Sequence, residues 1–339
     1  MLIDLRSDTV TRPTKPMLQA MFEAKVGDDV FGEDPSINEL EGKTAKIFGM
    51  EAGMFCPSGT MTNQVAVKTH TNPMEEVIIE KSNHVYYYEV GGIAFHSGCS
   101  IRTIDGDHGR ITPQQIEENI MPRNLHAAET SLVCIENTSN RGGGAYYSLE
   151  EMIAISKTCK KHNLKLHLDG ARIFNAIVAQ DIKPAELGKH FDSISVCLSK
   201  GLGCPVGSVL MGSKEFIGKA RKYRKSFGGG MRQAGFLAAA GIYALDNHVK
   251  RLKDDHIRAK QIGNALKKLS IVDTDFSVPT NIVIFKLKPG NSADDFVKKL
   301  DVENIKCFSI GDNKVRMLTH LDVNDEQIAK VVEVLGRMG

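Results

Sequence analysis

The sequence predicts an α/β fold, with a large domain built on a mainly parallel sheet flanked by helices and a small C-terminal α+β domain. Two observations lead to this prediction. Short apolar runs alternate with helix-period stretches over most of the chain, and this pattern changes after a long helical region at about residues 232–269. A chain of 339 residues is long enough to build both units.

The large domain contains five short β-rich runs that we interpret as strands. Helix-period stretches lie between most of them, and the clearest begins at Ser148, which is followed three residues later by Glu151 in a capping-box pattern. Such alternation favours right-handed βαβ units and a mainly parallel sheet. The predicted strands are residues 75–80, 131–137, 164–169, 193–199 and 206–212.

The last third of the chain has a different pattern, which predicts a compact α+β unit. Three β-rich runs are interspersed there with a helix that begins at Ser292 and a terminal helix that begins at Asn324. We therefore divide the chain into an N-terminal arm (1–20), a large domain (21–250) and a small C-terminal domain (251–339). The three β-rich runs are residues 281–287, 306–311 and 314–320.

Composition and charge exclude several classes of protein. A net charge of +2 does not imply nucleic acid or an acidic membrane as a partner. The first 14 residues have no apolar signal-peptide segment, and the longest apolar run (234–245) is too short for the roughly 18 residues that span a bilayer. The seven scattered cysteines contain no CxxC pair, so we expect no disulfide framework, no cysteine zinc site and a reducing, cytoplasmic location, and we assign no residue as a metal ligand.

Two polar residues at the ends of neighbouring strands suggest a cofactor site. Asp169 ends a strand in the segment LHLDGAR, and Lys200 follows the next strand and precedes two glycines. Alone, each has an ordinary interpretation, since Asp169 could cap a helix and Lys200 could lie in a surface loop. They are one βαβ unit apart, however, and ligands gather at the carboxyl ends of parallel strands. A lysine that forms a Schiff base and a carboxylate that pairs with a pyridine nitrogen are what pyridoxal phosphate requires.

A phosphate site completes this prediction. Ser58, Gly59 and Thr60 begin a helix-period stretch, where backbone amides and two hydroxyls suit a dianionic phosphate. By itself the tripeptide is a common helix cap. Followed along the chain by Asp169 and Lys200, it predicts a chain that binds pyridoxal 5′-phosphate and acts on an amino acid.

Two further segments carry candidate residues with open interpretations. His84 precedes three tyrosines and is either a packed histidine or a flat side chain that stacks on the pyridine ring. Arg232 follows three glycines at the end of a basic stretch, where an anion site is plausible and RNA binding is not.

Seven segments spread over the whole chain together resemble the low-specificity L-threonine aldolases. That family has the aspartate-aminotransferase-like fold, which is fold type I of the pyridoxal-phosphate enzymes. The resemblance implies cleavage of threonine or allo-threonine to glycine and acetaldehyde by a homotetramer with active sites at subunit interfaces. The segments are RSDTVTRPT, VFGEDPSINELE, SGTMTNQVA, ENTSNRGGG, HLDGAR, SKGLGCPVGS and GGGMRQAG.

The resemblance also implies roles for individual residues. Lys200 would carry the cofactor, Asp169 would face its pyridine nitrogen, and His84 would stack on the ring. The remaining implied residues are Ser58, Gly59, Thr60, Arg172 and Arg232 around the cofactor, and Ser7, Arg172, Arg316, Tyr88 and His126 around the substrate.

Several of these assignments keep alternatives. Arg172 could instead form a salt bridge with Asp169, Arg316 could be an ordinary strand arginine, and either His84 or His126 could be the catalytic base. A β-eliminating lyase or a decarboxylase of the same fold would share the lysine and the aspartate. A non-catalytic binding protein built on this fold is the alternative from another class.

Overall fold

The computed structural model describes residues 2–338 as a large α/β unit and a small α+β unit. The strands are β1 (Ile3–Asp4), β2 (Ala52–Cys56), β3 (Glu76–Glu80), β4 (Ser100–Ile104), β5 (Thr130–Glu136), β6 (Lys165–Gly170), β7 (Ser193–Cys197), β8 (Ser208–Gly212), β9 (Ile282–Lys286), β10 (Ile305–Lys306), β11 (Phe308–Ser309) and β12 (Lys314–Leu318).

The helices lie between these strands much as the alternating pattern predicts. Short 3-10 turns cover Asp8–Val10 and Asp29–Phe31, and a π-helical turn covers Ile93–Ser97. The α-helices are α1 (Lys15–Phe22), α2 (Pro35–Phe48), α3 (Gly59–His70), α4 (His84–Tyr87), α5 (Pro113–Asn119), α6 (Leu149–Lys161), α7 (Ile173–Gln180), α8 (Pro184–Gly188), α9 (Lys214–Ser226), α10 (Gly235–Asn247), α11 (Leu252–Leu266), α12 (Ala293–Val302) and α13 (Asp325–Gly336).

The large sheet has seven strands in the order β2-β8-β7-β6-β5-β3-β4. All run parallel except β8, which is antiparallel to both of its neighbours. The reversal follows from the connection, because residues 198–207 return from β7 to β8 without the crossover helix that a parallel pair requires. The α/β prediction is confirmed, with β2 and β4 as additional strands. The sequence pattern missed β4 because this edge strand is mostly not buried.

Helices cover both faces of this sheet, which confirms the predicted layering. One face carries Leu166, Leu168 and Val196 into the main core, together with residues of α2, α6 and α7. The other face lies beneath α3 and α9. The predicted capping box is present at α6, where Ser148 Oγ accepts from the Glu151 amide and Glu151 caps the Ser148 amide.

The small unit consists of the antiparallel sheet β11-β12-β9 packed against α11, α12 and α13, around its own core. The predicted strand 306–311 is two short strands, interrupted at Cys307. Residues 2–20, which the sequence suggested as an arm, pack against both units, and α1 contacts α10 with Met17 in the main core. β1 pairs in parallel with β10, and Ile3 and Leu5 are buried in the small unit. The boundary near residue 250 stays a prediction.

Two features bear on the excluded classes of protein. Among residues 2–338, none of the helices combines the length and apolar character that crossing a bilayer demands. All seven cysteines lie within this part of the chain, and each is buried with a free thiol.

Candidate active site

The carboxyl ends of β5, β6 and β7 bring several predicted residues to one edge of the sheet. Asp169 lies near the end of β6 and is buried, with Asn63 Nδ2 donating to its Oδ2 over 3.0 Å and the Ala171 amide donating to its Oδ1 over 3.0 Å. Lys200 lies in the β7–β8 loop and lines a cavity of about 440 Å³. The prediction that the two residues belong to adjacent parallel strand ends agrees with this geometry.

His84 begins α4 and also lines the cavity. Its Nδ1 lies 2.9 Å from Glu89 Oε1, and single donor or acceptor atoms of His84, Glu89 and Asp169 lie within 4.8 Å of one another. Burial alone would lower the pKa of His84, but the hydrogen bond with Glu89 and the charge of Asp169 raise the pKa above its ordinary value. Because Nδ1 carries the proton donated to Glu89, Nε2 is the ring atom left for chemistry.

A second buried carboxylate, Glu136, lies beside Asp169 in the sheet register. Burial and the charge of Asp169 raise the pKa of Glu136 to about 7. Its two oxygens accept from the amides of Asn140 and His84 over 3.0 and 3.1 Å. Glu136 therefore ties the loop after β5 to the start of α4, and so holds two sides of the cavity together.

The cavity is strongly cationic. Four positive side chains line it, and none of its lining residues within the described chain is acidic. Its volume is in the usual range for small-molecule sites. A positive, concave site of this kind suits a small anionic molecule such as an amino acid carboxylate or a phosphate ester. The cationic lining residues are Arg141, Arg172, Lys200 and Arg316.

Arg172 pairs with Asp8, and not with Asp169 as one interpretation of the sequence suggested. Arg172 Nε and Nη2 donate to the two Asp8 oxygens over 2.7 and 2.6 Å, and both residues are buried. Burial alone would raise the pKa of Asp8, but the charges of Arg172 and Lys200 lower it below its ordinary value. Asp8 thus fixes the Arg172 guanidinium against the cavity wall.

Arg316 approaches the cavity from β12, in the small unit. Its Nη1 donates to Asn140 Oδ1 and its Nη2 to the Arg6 carbonyl, each over 3.1 Å. Its buried Nε has no acceptor among residues 2–338. Burial and the positive charge of Arg172 lower the pKa of Arg316. An uncompensated guanidinium beside Arg172 favours an anion between them.

The remaining lining residues include Ser7 and Tyr88. Ser7 is buried, and its hydroxyl caps the turn that carries Asp8 by accepting from the Thr9 amide. The Tyr88 hydroxyl accepts from Arg141 Nη1 over 2.9 Å. The guanidinium of Arg141 also lies 4.7 Å from the centre of the Tyr87 ring. These contacts form one wall of the cavity.

The predicted phosphate site is the first turn of α3. Ser58 caps this helix by accepting from the Met61 amide, and within the described chain the Gly59 and Thr60 amides have no hydrogen-bond partner. A Cβ on Gly59 would lie 2.6 Å from Cys197 Sγ, so glycine lets this turn approach β7 closely. Asn63, one turn later on α3, contacts Asp169, which joins the turn to the rest of the site.

Besides Asp169 and the three residues of the α3 turn (Ser58, Gly59 and Thr60), two more predicted residues do not line the cavity of this single chain. Arg232 is half-exposed and pairs with Asp28 over 2.8 Å. His126 is exposed on the loop between α5 and β5, where its amide donates to Asn124. Neither residue lines the cavity that contains Lys200.

The structure also adds residues that the sequence analysis missed, namely Asp8, Asn63, Glu89, Glu136 and Arg141. Four of them lie in segments that carry the resemblance, namely Asp8 in RSDTVTRPT, Asn63 in SGTMTNQVA, and Glu136 and Arg141 in ENTSNRGGG, and Glu89 follows the three tyrosines after His84. The signal for Glu136 was a carboxylate at the end of an apolar strand, as for Asp169. Asn63 had no such signal, because its partners come from distant parts of the chain.

Comparison with known proteins finds similar sequences over most of the chain. A family model described as beta-eliminating lyase matches residues 4–288. The low-specificity L-threonine aldolase of Escherichia coli K12 is 42% identical over 335 residues, which cover 97% of each chain. A probable low-specificity L-threonine aldolase of Arabidopsis thaliana is 40% identical, covering 97% of this chain and 95% of its own.

The fold agrees as well. The structure of a threonine aldolase from Leishmania major superposes with a TM-score of 0.86 at 22% identity, covering 99% of both chains. The match to the family model and the full-length relatives together identify the family. The chain is therefore a member of the beta-eliminating lyase family and belongs, within it, with the low-specificity L-threonine aldolases.

Proposed function

We propose that this protein is a pyridoxal-phosphate-dependent aldolase that cleaves L-threonine and L-allo-threonine to glycine and acetaldehyde. The observation that carries the proposal is the cationic cavity, where Lys200 and His84 face a pair of guanidinium groups suited to a substrate carboxylate. The names of the full-length relatives support the same activity.

The residues present fit the cofactor. Lys200 would hold it covalently, Asp169 would face its pyridine nitrogen, and His84 would stack on its ring. The unpartnered amides at the first turn of α3, with the hydroxyls of Ser58 and Thr60, suit its phosphate. When bound, pyridoxal phosphate supplies an electron sink for the electron pair left on Cα when a bond to that carbon breaks.

Arg172, Arg316 and Ser7 would bind the substrate carboxylate. Arg172 is held by Asp8 and Arg316 by Asn140, so neither guanidinium must be ordered when substrate arrives. We expect Arg172→Lys to raise KM for threonine by about tenfold to a hundredfold, because an ammonium cannot form the paired hydrogen bonds. Loss of bound cofactor at unchanged KM would contradict the role in substrate binding.

The reaction also needs a base for the proton of the β-hydroxyl. His84 is the candidate from this chain, since Glu89 holds its Nδ1 and leaves Nε2 for the cavity. Taking the hydroxyl proton lets the Cα–Cβ bond break, with acetaldehyde leaving and Cα later gaining a proton to give glycine. His126 could serve this role only if another copy of the chain delivered it, because it is exposed and outside the cavity here.

A homotetramer with shared active sites, in the cytoplasm, is the assembly we propose. The exposed positions of His126 and Arg232 support sharing, and the seven buried, unpaired thiols support a reducing compartment. Mixing subunits of Lys200→Ala with subunits of His126→Phe tests the sharing of sites. We expect the mixed sample to be more active than either variant alone. If the mixture is tetrameric by light scattering but no more active than the separate variants, the sharing of sites is contradicted.

A product assay tests the activity itself. Incubation with L-threonine and with L-allo-threonine is expected to yield glycine and acetaldehyde in equal amounts, without ammonia. Ammonia with 2-oxobutanoate as the main products would mean β-elimination, the alternative reaction of this fold, and would refute the aldolase proposal. Lys200→Ala protein is the control for background cleavage.

A further inference from the structure

A continuous chain of hydrogen bonds runs beneath α3 from Asp169 toward the amino ends of β6 and β7. Asn63 Nδ2 lies 3.0 Å from Asp169 Oδ2, and Asn63 Oδ1 lies 3.2 Å from His167 Nε2. Ser193 Oγ then lies 2.8 Å from His167 Nδ1 and 2.7 Å from His70 Nε2. Asn63, His167 and Ser193 are at most 2% exposed, so water does not compete for these contacts.

The fold brings these residues together by simple periodicities. His167 and Asp169 are two residues apart on β6, so they point to the same face of the sheet. Ser193 lies opposite His167 in the register of β6 and β7. Asn63 and His70 are seven residues apart on α3, which is close to two helical turns, so both face the sheet.

The chemistry of the groups fixes the direction of every hydrogen bond. Asn63 Nδ2 must donate, because it faces carboxylate oxygens of both Asp169 and Glu89, the latter at 2.9 Å. Asn63 Oδ1 is then an acceptor, and it accepts from Ser195 Oγ over 2.7 Å. His167 Nε2 must therefore carry a proton to face this oxygen.

The rest of the chain follows from the state of the two histidines. Burial lowers the pKa of His167 to about 4, so its ring is neutral and Nδ1 accepts from the Ser193 hydroxyl. The Ser193 oxygen then accepts from His70 Nε2, whose ring burial also keeps neutral by lowering its pKa. All donors thus point the same way, toward Asp169.

Aligned donors that end on a carboxylate stabilise its ionised form and fix its orientation. We propose that Asn63 and His167 are positioning residues that hold the Asp169 carboxylate aimed at the cofactor's ring nitrogen, with Ser193 and His70 fixing the donor direction of His167. The role of Asp169 in this proposal rests on the proposed function, whereas the direction of the hydrogen bonds does not.

The first test uses the wild-type apoprotein with 15N-labelled histidine. We expect the His167 ring, assigned by comparison with the His167→Gln protein, to show the neutral form protonated at Nε2 throughout pH 6 to 8. A ring protonated at Nδ1, or charged at neutral pH, would overturn the proposal irrespective of what the enzyme catalyses.

The second test compares His167→Gln with His167→Leu in protein loaded with cofactor labelled with 15N in its ring. Glutamine keeps a donor for Asn63, whereas leucine of similar size does not. We expect the leucine variant to lose ring-nitrogen protonation, seen in the 15N shift, and to lower kcat about tenfold with KM little changed. Glutamine should restore most of both. Ser193→Ala, one link farther away, should have a smaller effect in the same direction.

His256→Leu is the matched control. His256 is also buried, and its Nε2 lies 3.0 Å from Asn175 Oδ1, so it makes the same kind of hydrogen bond without contacting Asn63 or Asp169. We expect it to lower the melting temperature as His167→Leu does, without changing the 15N shift of the cofactor. If both variants change the shift equally, or if His167→Leu leaves shift and kcat at wild-type values, the positioning role is wrong. If His167→Leu does not fold, a wild-type 15N shift and kcat in Ser193→Ala would overturn it.

Discussion

The two faces of β6 and β7 differ sharply, although both are buried. On one face these strands present aliphatic side chains to the main core, and on the other they present mainly polar side chains, together with Cys197, to α3. The aliphatic set is Leu166, Leu168, Ile194 and Val196, and the polar set is His167, Asp169, Ser193 and Ser195.

The aliphatic face mainly stabilises the fold, whereas the polar face mainly serves the chemistry of the site. The aliphatic face contributes burial, which is non-directional and tolerates any side chain of the right size. The polar face requires a partner for each buried group and gains little net stability from it. The polar face instead orients a functional group, because the hydrogen-bond chain through Asn63 ends on Asp169, close to His84. We therefore expect substitutions on the polar side to change chemistry, and those on the aliphatic side to change stability.

The largest effect is expected at Lys200, at the end of β7. Lys200→Ala should abolish turnover, because no other amine among residues 2–338 lines the cavity to hold the cofactor. Borohydride reduction followed by peptide mass spectrometry should find the pyridoxyl group on Lys200 in the wild type and on no lysine in the variant. A label on any other lysine in the wild type would show that the assignment is wrong.

Asp169→Asn should have the next largest effect, on rate and not on folding. The amide keeps the shape of the side chain but removes the negative charge that would stabilise the protonated ring nitrogen. We therefore expect kcat to fall about a thousandfold with cofactor still bound. The measurement is kcat on L-threonine, with cofactor content from absorbance as the control. A rate near that of the wild type would eliminate the role of Asp169 as the partner of the ring nitrogen.

Leu168→Ala, on the opposite face of β6, should lower stability and leave the rate unchanged, which is the reverse of Asp169→Asn. Leu168 is fully buried in the main core, so we expect the free energy of unfolding to fall by about 2–5 kcal/mol. Denaturant unfolding of the apoprotein measures the loss. The folded fraction should keep its kcat, and a large fall in kcat at full cofactor occupancy would contradict the separation of the two faces.

The smallest effect is expected from Glu89→Gln and concerns pH. Glu89 helps to raise the pKa of His84, so removing its charge should lower that pKa. If neutral His84 is the base, activity is lost as pH falls through its pKa, and the acid limb of kcat/KM should move to lower pH in the variant. Gln64, whose Nε2 donates to Glu89 and whose buried Oε1 has no partner in the described chain, can rotate its amide to accept the new donor.

Glu89→Gln should also lower the stability of the fold, and this loss should be larger at low pH than at high pH. A raised histidine pKa stabilises the fold fully below the ordinary pKa of histidine, and this contribution is lost as pH rises through the raised value. Glu89→Gln should therefore destabilise the protein more at pH 5.5 than at pH 8.5, as measured by thermal unfolding. An acid limb that does not move would indicate that His84 is not the base.

Part of the site could be read from the sequence because it depends on local pattern. A strand that ends in Asp169, a lysine followed by glycines and a helix cap at Ser58 each leave a signature within a few residues. The parallel sheet could be predicted for the same reason, since each strand and helix has its own periodicity. The antiparallel direction of β8 followed from the length of one loop and was not predicted.

Long-range pairing left no such signature. Arg172 pairs with Asp8 from a position 164 residues away, and Asn63 reaches Asp169 across 106 residues. The small unit takes Ile3 and Leu5 into its core across the whole length of the chain. Residue type and spacing say nothing about which distant partner is chosen, because the choice depends on how the elements pack.

The sequence alone determined five of the seven strands of the large sheet, the edge of the sheet where polar residues gather and the chemical types available there. Those properties follow from local periodicity and from the rule that parallel strands end at one edge. Only the tertiary structure decided that Arg172 binds Asp8, that Glu89 holds His84 and that a directed chain of hydrogen bonds reaches Asp169. Each of these depends on distances of about 3 Å between groups far apart in sequence, which packing sets and composition does not.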